Sequence, residues 1–175
     1  MRTCPLCGSN SNLQQQWGSR LIRCPECRLV YVDQLPSLDE LKHMYTEDFF
    51  KGDASYADYV GEKASLQHNF QARIRALKAL QPSGKLYEAG CAHGFFLELA
   101  RKYWDVRGSD ISAEAIAYAR DVLKLDVVVG DFETTPPEPS AYDLVVMWDT
   151  IEHLYDPFLA LAKSAAALKP GGILG

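Results

Sequence analysis

Four cysteines fall in two pairs, Cys4-Pro5-Leu6-Cys7 and Cys24-Pro25-Glu26-Cys27, with sixteen residues between the pairs. A two-residue spacer turns tightly enough to aim two sulfurs at one ion. Two such turns complete a tetrahedral set with metal–sulfur distances of about 2.3 Å. The spacing predicts a zinc ribbon in which Cys4, Cys7, Cys24 and Cys27 hold one structural Zn²⁺, with a redox dithiol as the alternative. Four thiolates around Zn²⁺ carry a double negative charge, which Arg2, Arg20, Arg23 and Arg28 are near enough in sequence to offset.

Further along, Glu88-Ala89-Gly90-Cys91-Ala92-His93-Gly94 runs straight into a helical pattern. Small residues at 90, 92 and 94 let a ligand approach the backbone and leave helix N-terminal N–H groups available to an anion. Asp110 follows Gly90 by twenty residues and could accept both hydroxyls of a ribose. Gly130-Asp131-Phe132 offers a carboxylate able to accept from an exocyclic amine. A nicotinamide site would want glycine where Phe95 stands, and no Walker phosphate loop occurs. Asp149, Glu152 and His153 form the last cluster, and one helical turn would bring all three to one face. They could ligate Mg²⁺, Mn²⁺ or Zn²⁺, make His153 a base oriented by two acids, or order a loop.

These residues need elements to hold them. Between Glu62 and Leu80 the apolar Leu66, Phe70, Ile74, Leu77 and Leu80 recur at helical spacing, and Gln81-Pro82-Ser83-Gly84 ends the pattern. Beyond Gly84, strands are predicted at Lys85–Ala89, Asp105–Ser109, Asp126–Val129 and Asp143–Trp148. Helices are predicted at Phe95–Trp104, at Ala113–Leu125, and from Asp156-Pro157 to Lys169-Pro170-Gly171-Gly172. Repeated strand–helix units force parallel strands with right-handed crossovers. The expected fold class is therefore α/β, a doubly wound, mainly parallel Rossmann-like sheet with a small N-terminal zinc ribbon. Ligands of such sheets bind at the carboxyl ends of the strands. The expected organisation is a ribbon over 1–33, with strands at Leu21–Arg23 and Leu29–Val32, then a helical linker and lid over 34–83. The linker includes a capping box at Ser37–Glu40 and an aromatic run over 44–60. The sheet domain occupies 84–175.

Over 84–175 the sequence resembles the class I S-adenosylmethionine-dependent methyltransferases. Leu86–Gly94 is similar to their first motif, Val106–Ile111 to the second and Val129–Phe132 to the third. Tyr142–Asp149 with Ile151-Glu152-His153 is similar to the fourth, and Leu168–Gly172 to the turn before the fifth strand. Ala92-His93 departs from the usual pair of small or polar residues. The Cys₄ ribbon joined to this domain resembles a bacterial group linked to glycan or small-molecule biosynthesis. The resemblance implies that Glu88, Gly90 and Gly94 serve the methionine end of the cofactor and that Asp110 takes the ribose. It places Ile111 and the Phe132 backbone against the adenine, with Asp131 accepting from its amine. Asp149, Glu152 and His153 resemble the acid-x-x-Glu-His element of ubiquinone-pathway O-methyltransferases and small-RNA 2′-O-methyltransferases, which is associated with a divalent metal. Asp149 stands there one methylene shorter than the usual Glu.

The composition narrows the partners. The chain has 175 residues, 47% hydrophobic and 23% charged, with a net charge of −5. An acidic balance speaks against nucleic acid and anionic membranes as general partners. No apolar run spans a bilayer and the N-terminus lacks a signal-peptide core, so a cytoplasmic protein is expected. The expected activity is methyl transfer from S-adenosylmethionine to a small-molecule or glycan-precursor acceptor, at oxygen. The alternatives are a ribbon scaffold with a non-catalytic Rossmann half, and an RNA methyltransferase. The resembled family continues two strands beyond Gly175. The chain thus reads as C-terminally incomplete, with Val145, Val146 and Met147 on an exposed sheet edge.

Overall fold

The computed structural model describes residues 3–10, 14–16, 21–32 and 60–175. The expectations for Ser37–Glu40 and for the aromatic run from Met44 to Tyr59 lie outside the described residues. The chain divides into two compact units, Met1–Ala57 and Asp58–Gly175.

The first unit is a three-stranded antiparallel sheet in the order β1-β2-β3, from β1 (Gln14–Gln16), β2 (Leu21–Arg23) and β3 (Val30–Val32). Sequence pattern predicted β2 and β3 and missed β1, whose three glutamines carry no strand signal. Among the described residues of this unit, Ile22 and Tyr31 are buried beside Cys4 and Cys24. Both cysteine turns close alike: Gly8 N–H donates to Cys4 O at 2.9 Å, and Arg28 N–H to Cys24 O at 3.0 Å.

The second unit is built on five parallel strands in the order β6-β5-β4-β7-β8. These are β4 (Lys85–Ala89), β5 (Asp105–Asp110), β6 (Asp126–Val129), β7 (Tyr142–Val146) and β8 (Leu168–Leu174). The helices are α1 (Lys63–Leu80), α2 (Phe95–Ala100), α3 (Ala113–Asp121) and α4 (Pro157–Ala167). Side-chain alternation along β4 sends Leu86 to one face and Tyr87 and Ala89 to the other. On the Leu86 face, Phe70, Ile74 and Leu77 of α1 pack with α2 and α3, and Phe70 meets Phe96 edge-on at 5.6 Å. On the Tyr87 face lie Phe132, Tyr142, Met147 and the Ala160/Ala167 side of α4. Helix α1, predicted as part of the linker, thus packs as a layer of the sheet unit. The strand order reverses between β4 and β7, which opens a crevice between the loops that follow them.

Several boundaries differ from the sequence pattern for packing reasons. Helix α2 stops at Ala100, because Trp104 turns into the core and donates its Nε1–H to Gln81 O at 2.9 Å. Helix α3 stops at Asp121. Lys124 takes φ +56°, and the buried Leu125 returns an N–H bond to Ala119 O at 3.1 Å. Lys169–Gly172 is not a helix end but an outward bulge of β8, whose pairing jumps from Tyr142↔Leu168 to Leu144↔Ile173. Lys169 Nζ pins that bulge to Asp143 Oδ2 at 2.8 Å. The expected exposed edge at Val145, Val146 and Met147 is overturned: all three are buried, because β8 covers β7 and Gly175 N–H donates to Val145 O at 2.9 Å.

Candidate functional site

At the carboxyl end of β4, the chain over Gly90–Gly94 folds back onto the end of β5. Gly90 and Cys91 donate their N–H groups to Ser109 O at 2.8 and 3.0 Å. Ala92 N–H donates to Asp110 Oδ2 and Ser112 N–H to Asp110 Oδ1, both at 2.8 Å. Asp110 is therefore oriented by two backbone donors, one per oxygen. A carboxylate offers about four lone-pair sites, so two remain for a ligand diol. The loop reaches this shape through positive φ at Gly90, Ala92 and Gly94.

The two glycines have different reasons. A Cβ on Gly90 would meet Thr150 Oγ1 at 2.5 Å, so Gly90 lets the loop after β7 lie across the loop after β4. The single Thr150 hydroxyl proton is shared there between Trp148 O at 3.0 Å and Ala89 O at 3.3 Å. A Cβ on Gly94 would meet Leu125 Cδ1 at 2.5 Å and Ala119 Cβ at 3.1 Å. Gly94 therefore lets the start of α2 pack against Ala119 and Leu125.

Beneath the loop, Glu88 is buried and its Oε2 has no hydrogen-bond partner. Burial, reinforced by the Asp110 carboxylate, pushes its pKa well above the ordinary carboxyl value, although Arg73 pulls the other way. A buried polar atom left unpaired is costly, and such atoms mark places where a ligand completes the set. The same surroundings, burial foremost, push the Cys91 thiol up. His93 packs its ring between Phe95 (5.7 Å) and Tyr118 (5.4 Å), and burial lowers its pKa. Ile111, next to Asp110, is an exposed aliphatic side chain. Asp131 heads a turn, accepting from Glu133 N–H at 2.8 Å, while Phe132 is buried against Tyr87.

After β7 the predicted helical turn is a short 3₁₀ turn over Ile151–His153. Asp149 does not belong to it: its φ is +53°, and its carboxylate meets the Arg73 guanidinium at 3.3 Å. One face for Asp149, Glu152 and His153 required a helix beginning at Asp149, and that residue's backbone breaks it. Among the described residues, the cysteines form the only group of three or more His, Cys, Asp or Glu ligand atoms close enough to share an ion. The three-residue metal arrangement is thus not assembled. Glu152 and His153 stand exposed on the loop.

Arg73 was not found by motif. It projects from α1 over the Trp148 ring, 4.8 Å from its centroid, as well as onto Asp149. Its only signal was a cation flanking the apolar stripe at Phe70, Ile74 and Leu77. A groove of about 240 Å³ between α1 and α2, lined by Ile74, Arg75, Leu99 and Tyr103, contains none of these site residues.

In the first unit, Cys4 and Cys27 Sγ lie 3.5 Å apart, Cys7 and Cys24 Sγ 3.6 Å apart, and all four within 4.8 Å of one another. Tetrahedral sulfurs about 2.3 Å from a metal would be separated by about 3.8 Å. The spacing fits one tetrahedral ion. No cysteine is in a disulfide.

Residues 87–175 match the methyltransferase domain family. The chain belongs to this family. Over 131 residues it is 33% identical to the ubiquinone biosynthesis O-methyltransferase of Sodalis glossinidius, an alignment covering 68% of this chain and 52% of that protein. Over 95 residues it is 34% identical to the enzyme of that name from Pectobacterium carotovorum, covering 50% and 40%. The chain thus spans about half the length of the curated relatives it matches. Among solved structures, it superposes on an S-adenosylmethionine-bound amino pentose methyltransferase of Micromonospora echinaspora, which is involved in calicheamicin biosynthesis. The TM-score is 0.60 at 25% identity, over 70% of this chain and 54% of that one. A possible histamine N-methyltransferase of Thermotoga maritima superposes with TM-score 0.54 at 28% identity, over 66% and 56%. The parallel sheet of this methyltransferase domain is therefore Rossmann-like. No described helix is long and apolar enough to cross a membrane.

Proposed function

We propose that this methyltransferase domain binds S-adenosylmethionine at the β4, β5 and β6 strand ends and serves methyl transfer to oxygen of a small-molecule or glycan-precursor acceptor. The observation that carries the reading is the Asp110 carboxylate, oriented by two loop amides beside exposed Ile111 and above the unpaired oxygen of Glu88. These residues fit the cofactor. Asp110 would hold the ribose hydroxyls, Ile111 and the Phe132 backbone would flank the adenine, and Asp131 would accept from its amine. Gly90 would border the methionine end. Gly94 would border it as well, at the start of α2. Glu88 would pair with the methionine ammonium, whose positive charge would bring the buried carboxyl back toward ionisation. Bound S-adenosylmethionine supplies an already activated sulfonium methyl, so the domain's contribution is alignment.

His153 is the base we assign to the acceptor's proton. It closes the 3₁₀ turn that follows β7, with Glu152 beside it, and its backbone N–H is anchored to Thr150 O at 2.9 Å. Because Asp149 is engaged by Arg73, base catalysis is favoured over a Mg²⁺ or Mn²⁺ centre. The cysteine set would hold a structural Zn²⁺. The homologues' names support a small-molecule acceptor, and the acidic net charge supports it over RNA. Calorimetric titration with S-adenosylhomocysteine tests the cofactor assignment. Saturable one-to-one binding is expected, and an absence of heat together with an unchanged melting temperature overturns it.

A further inference from the structure

The start of α4 carries half of a reciprocal cap. Asp156, the N-cap, accepts from Leu159 N–H at 2.9 Å. In the reciprocal form, a Glu or Gln at that third helical position reaches back to the N-cap N–H. Leu159 has no group to do so. The missing carboxylate comes from elsewhere: Asp156 N–H donates to Glu133 Oε1 at 2.7 Å, and Tyr155 N–H to Glu133 Oε2 at 2.9 Å. Glu133 lies in the turn after β6, twenty-three positions earlier. Its negative charge stands at the positive end of the α4 dipole. Lys163, on α4, donates to the Glu133 backbone carbonyl. The apolar layer repeats the junction, since Ile151 and Leu154 pack onto the cluster that contains Phe132.

The same turn holds Asp131, assigned above to the adenine amine. Asp131 Oδ1 accepts from Glu133 N–H at 2.8 Å, and Asp131 O accepts from Thr135 N–H at 2.7 Å. Asp131 therefore sets the backbone of Glu133. The Glu133 side chain in turn sets residues 155 and 156, the second and third positions after His153. Two backbone bonds to a carboxylate are charge-assisted and directional, which suits them to fixing a loop.

We propose that Glu133 is a positioning residue that couples the seating of adenine at Asp131 to the placement of the Glu152–His153 loop. This rests on the cofactor reading above. A ligand amine on Asp131 narrows the turn's excursions, and Glu133 passes that ordering to the Tyr155 and Asp156 amides. A ligand shifts such an equilibrium only as far as it prefers the ordered form, so the coupling is read as ligand-induced protection.

The test is amide hydrogen exchange of the segment containing Tyr155 and Asp156, with and without S-adenosylhomocysteine, in wild type, Glu133→Gln and Glu133→Ala. Calorimetry on the same samples gives the affinity. In wild type, the ligand should slow these amides by roughly five-fold or more. In Glu133→Ala, that slowing should vanish while the affinity stays within about three-fold of wild type. Glu133→Gln, which keeps one carbonyl acceptor, should retain part of it and guards against misfolding of the alanine variant. Full slowing in Glu133→Ala, or ligand binding to wild type without slowing, overturns the coupling alone. Absence of binding to wild type overturns the cofactor reading and this coupling together.

Discussion

Replacing Asp110 with asparagine separates ligand recognition from loop architecture. Each Asp110 oxygen accepts one backbone N–H at 2.8 Å, from Ala92 and from Ser112. Asparagine keeps the shape but turns one acceptor into a donor, which must then face one of those amides. One charge-assisted bond is lost and its N–H is left unpaired in a half-buried place, a cost of about 1–3 kcal/mol to folding. The ribose hydroxyls lose a charged acceptor as well. A hydrogen bond to a charged group contributes about 1.5–3 kcal/mol, so affinity for S-adenosylhomocysteine should fall roughly ten- to hundred-fold. Calorimetry measures the affinity, and urea unfolding without ligand measures the architectural cost. An Asp110→Asn protein that binds within about three-fold of wild type refutes the ribose assignment. Unchanged stability with weakened binding would show instead that the lost loop bond contributes nothing net.

The ribbon should carry one Zn²⁺ per chain by native mass spectrometry, and Cys24→Ser should abolish retention; a folded, metal-free N-terminal segment would contradict this. Glu88 has its pKa raised in the fold above the ordinary 4.5. Its contribution to ligand-free stability should thus be fully present below that value and lost as the pH rises through the raised one. Glu88→Gln should flatten this decline in urea midpoints measured against pH, and an unchanged slope would show that the carboxyl is not responsible. Gly94→Ala should destabilise by about 2–4 kcal/mol in urea unfolding, combining the left-handed backbone cost with overpacking. The clash with Leu125 Cδ1 at 2.5 Å is what a neutral result would dispute.

What could be read in advance was what is local. Strands β4 and β6 occupy the predicted ranges, because short apolar runs bounded by turn residues need no tertiary information. The Gly90–Gly94 loop and Asp110 were visible for the same reason, since each sits where a strand gives way to the next element. Element ends were less legible: Trp104 and Leu125 look like helix continuations until the core claims them. The Arg73–Asp149 pair spans seventy-six positions and bears no motif. Asp149 shows how such a contact can undo a local inference. Its spacing to Glu152 and His153 was right for one face, but the backbone turned left-handed before the 3₁₀ turn began. Glu133 left a faint trace in the apolar Leu159, a position where a self-sufficient cap would place Glu or Gln.

The reversal of strand order that opens the crevice also governs the schedule of folding. β4 pairs with β5 almost as soon as both exist, with Leu86 opposite Val106, twenty positions on. Its other edge waits for β7, with Leu86 opposite Leu144, fifty-eight positions on. At roughly 5–20 residues per second, a ribosome takes on the order of 3–12 s to supply that partner. Through this interval the hydrogen-bonding edge of Leu86–Glu88 has no native neighbour, and it is this edge that an aggregating chain or a chaperone would meet. The β4/β7 seam is thus the last central pairing to form, and pulse-labelled refolding should protect β5 amides before those of β7.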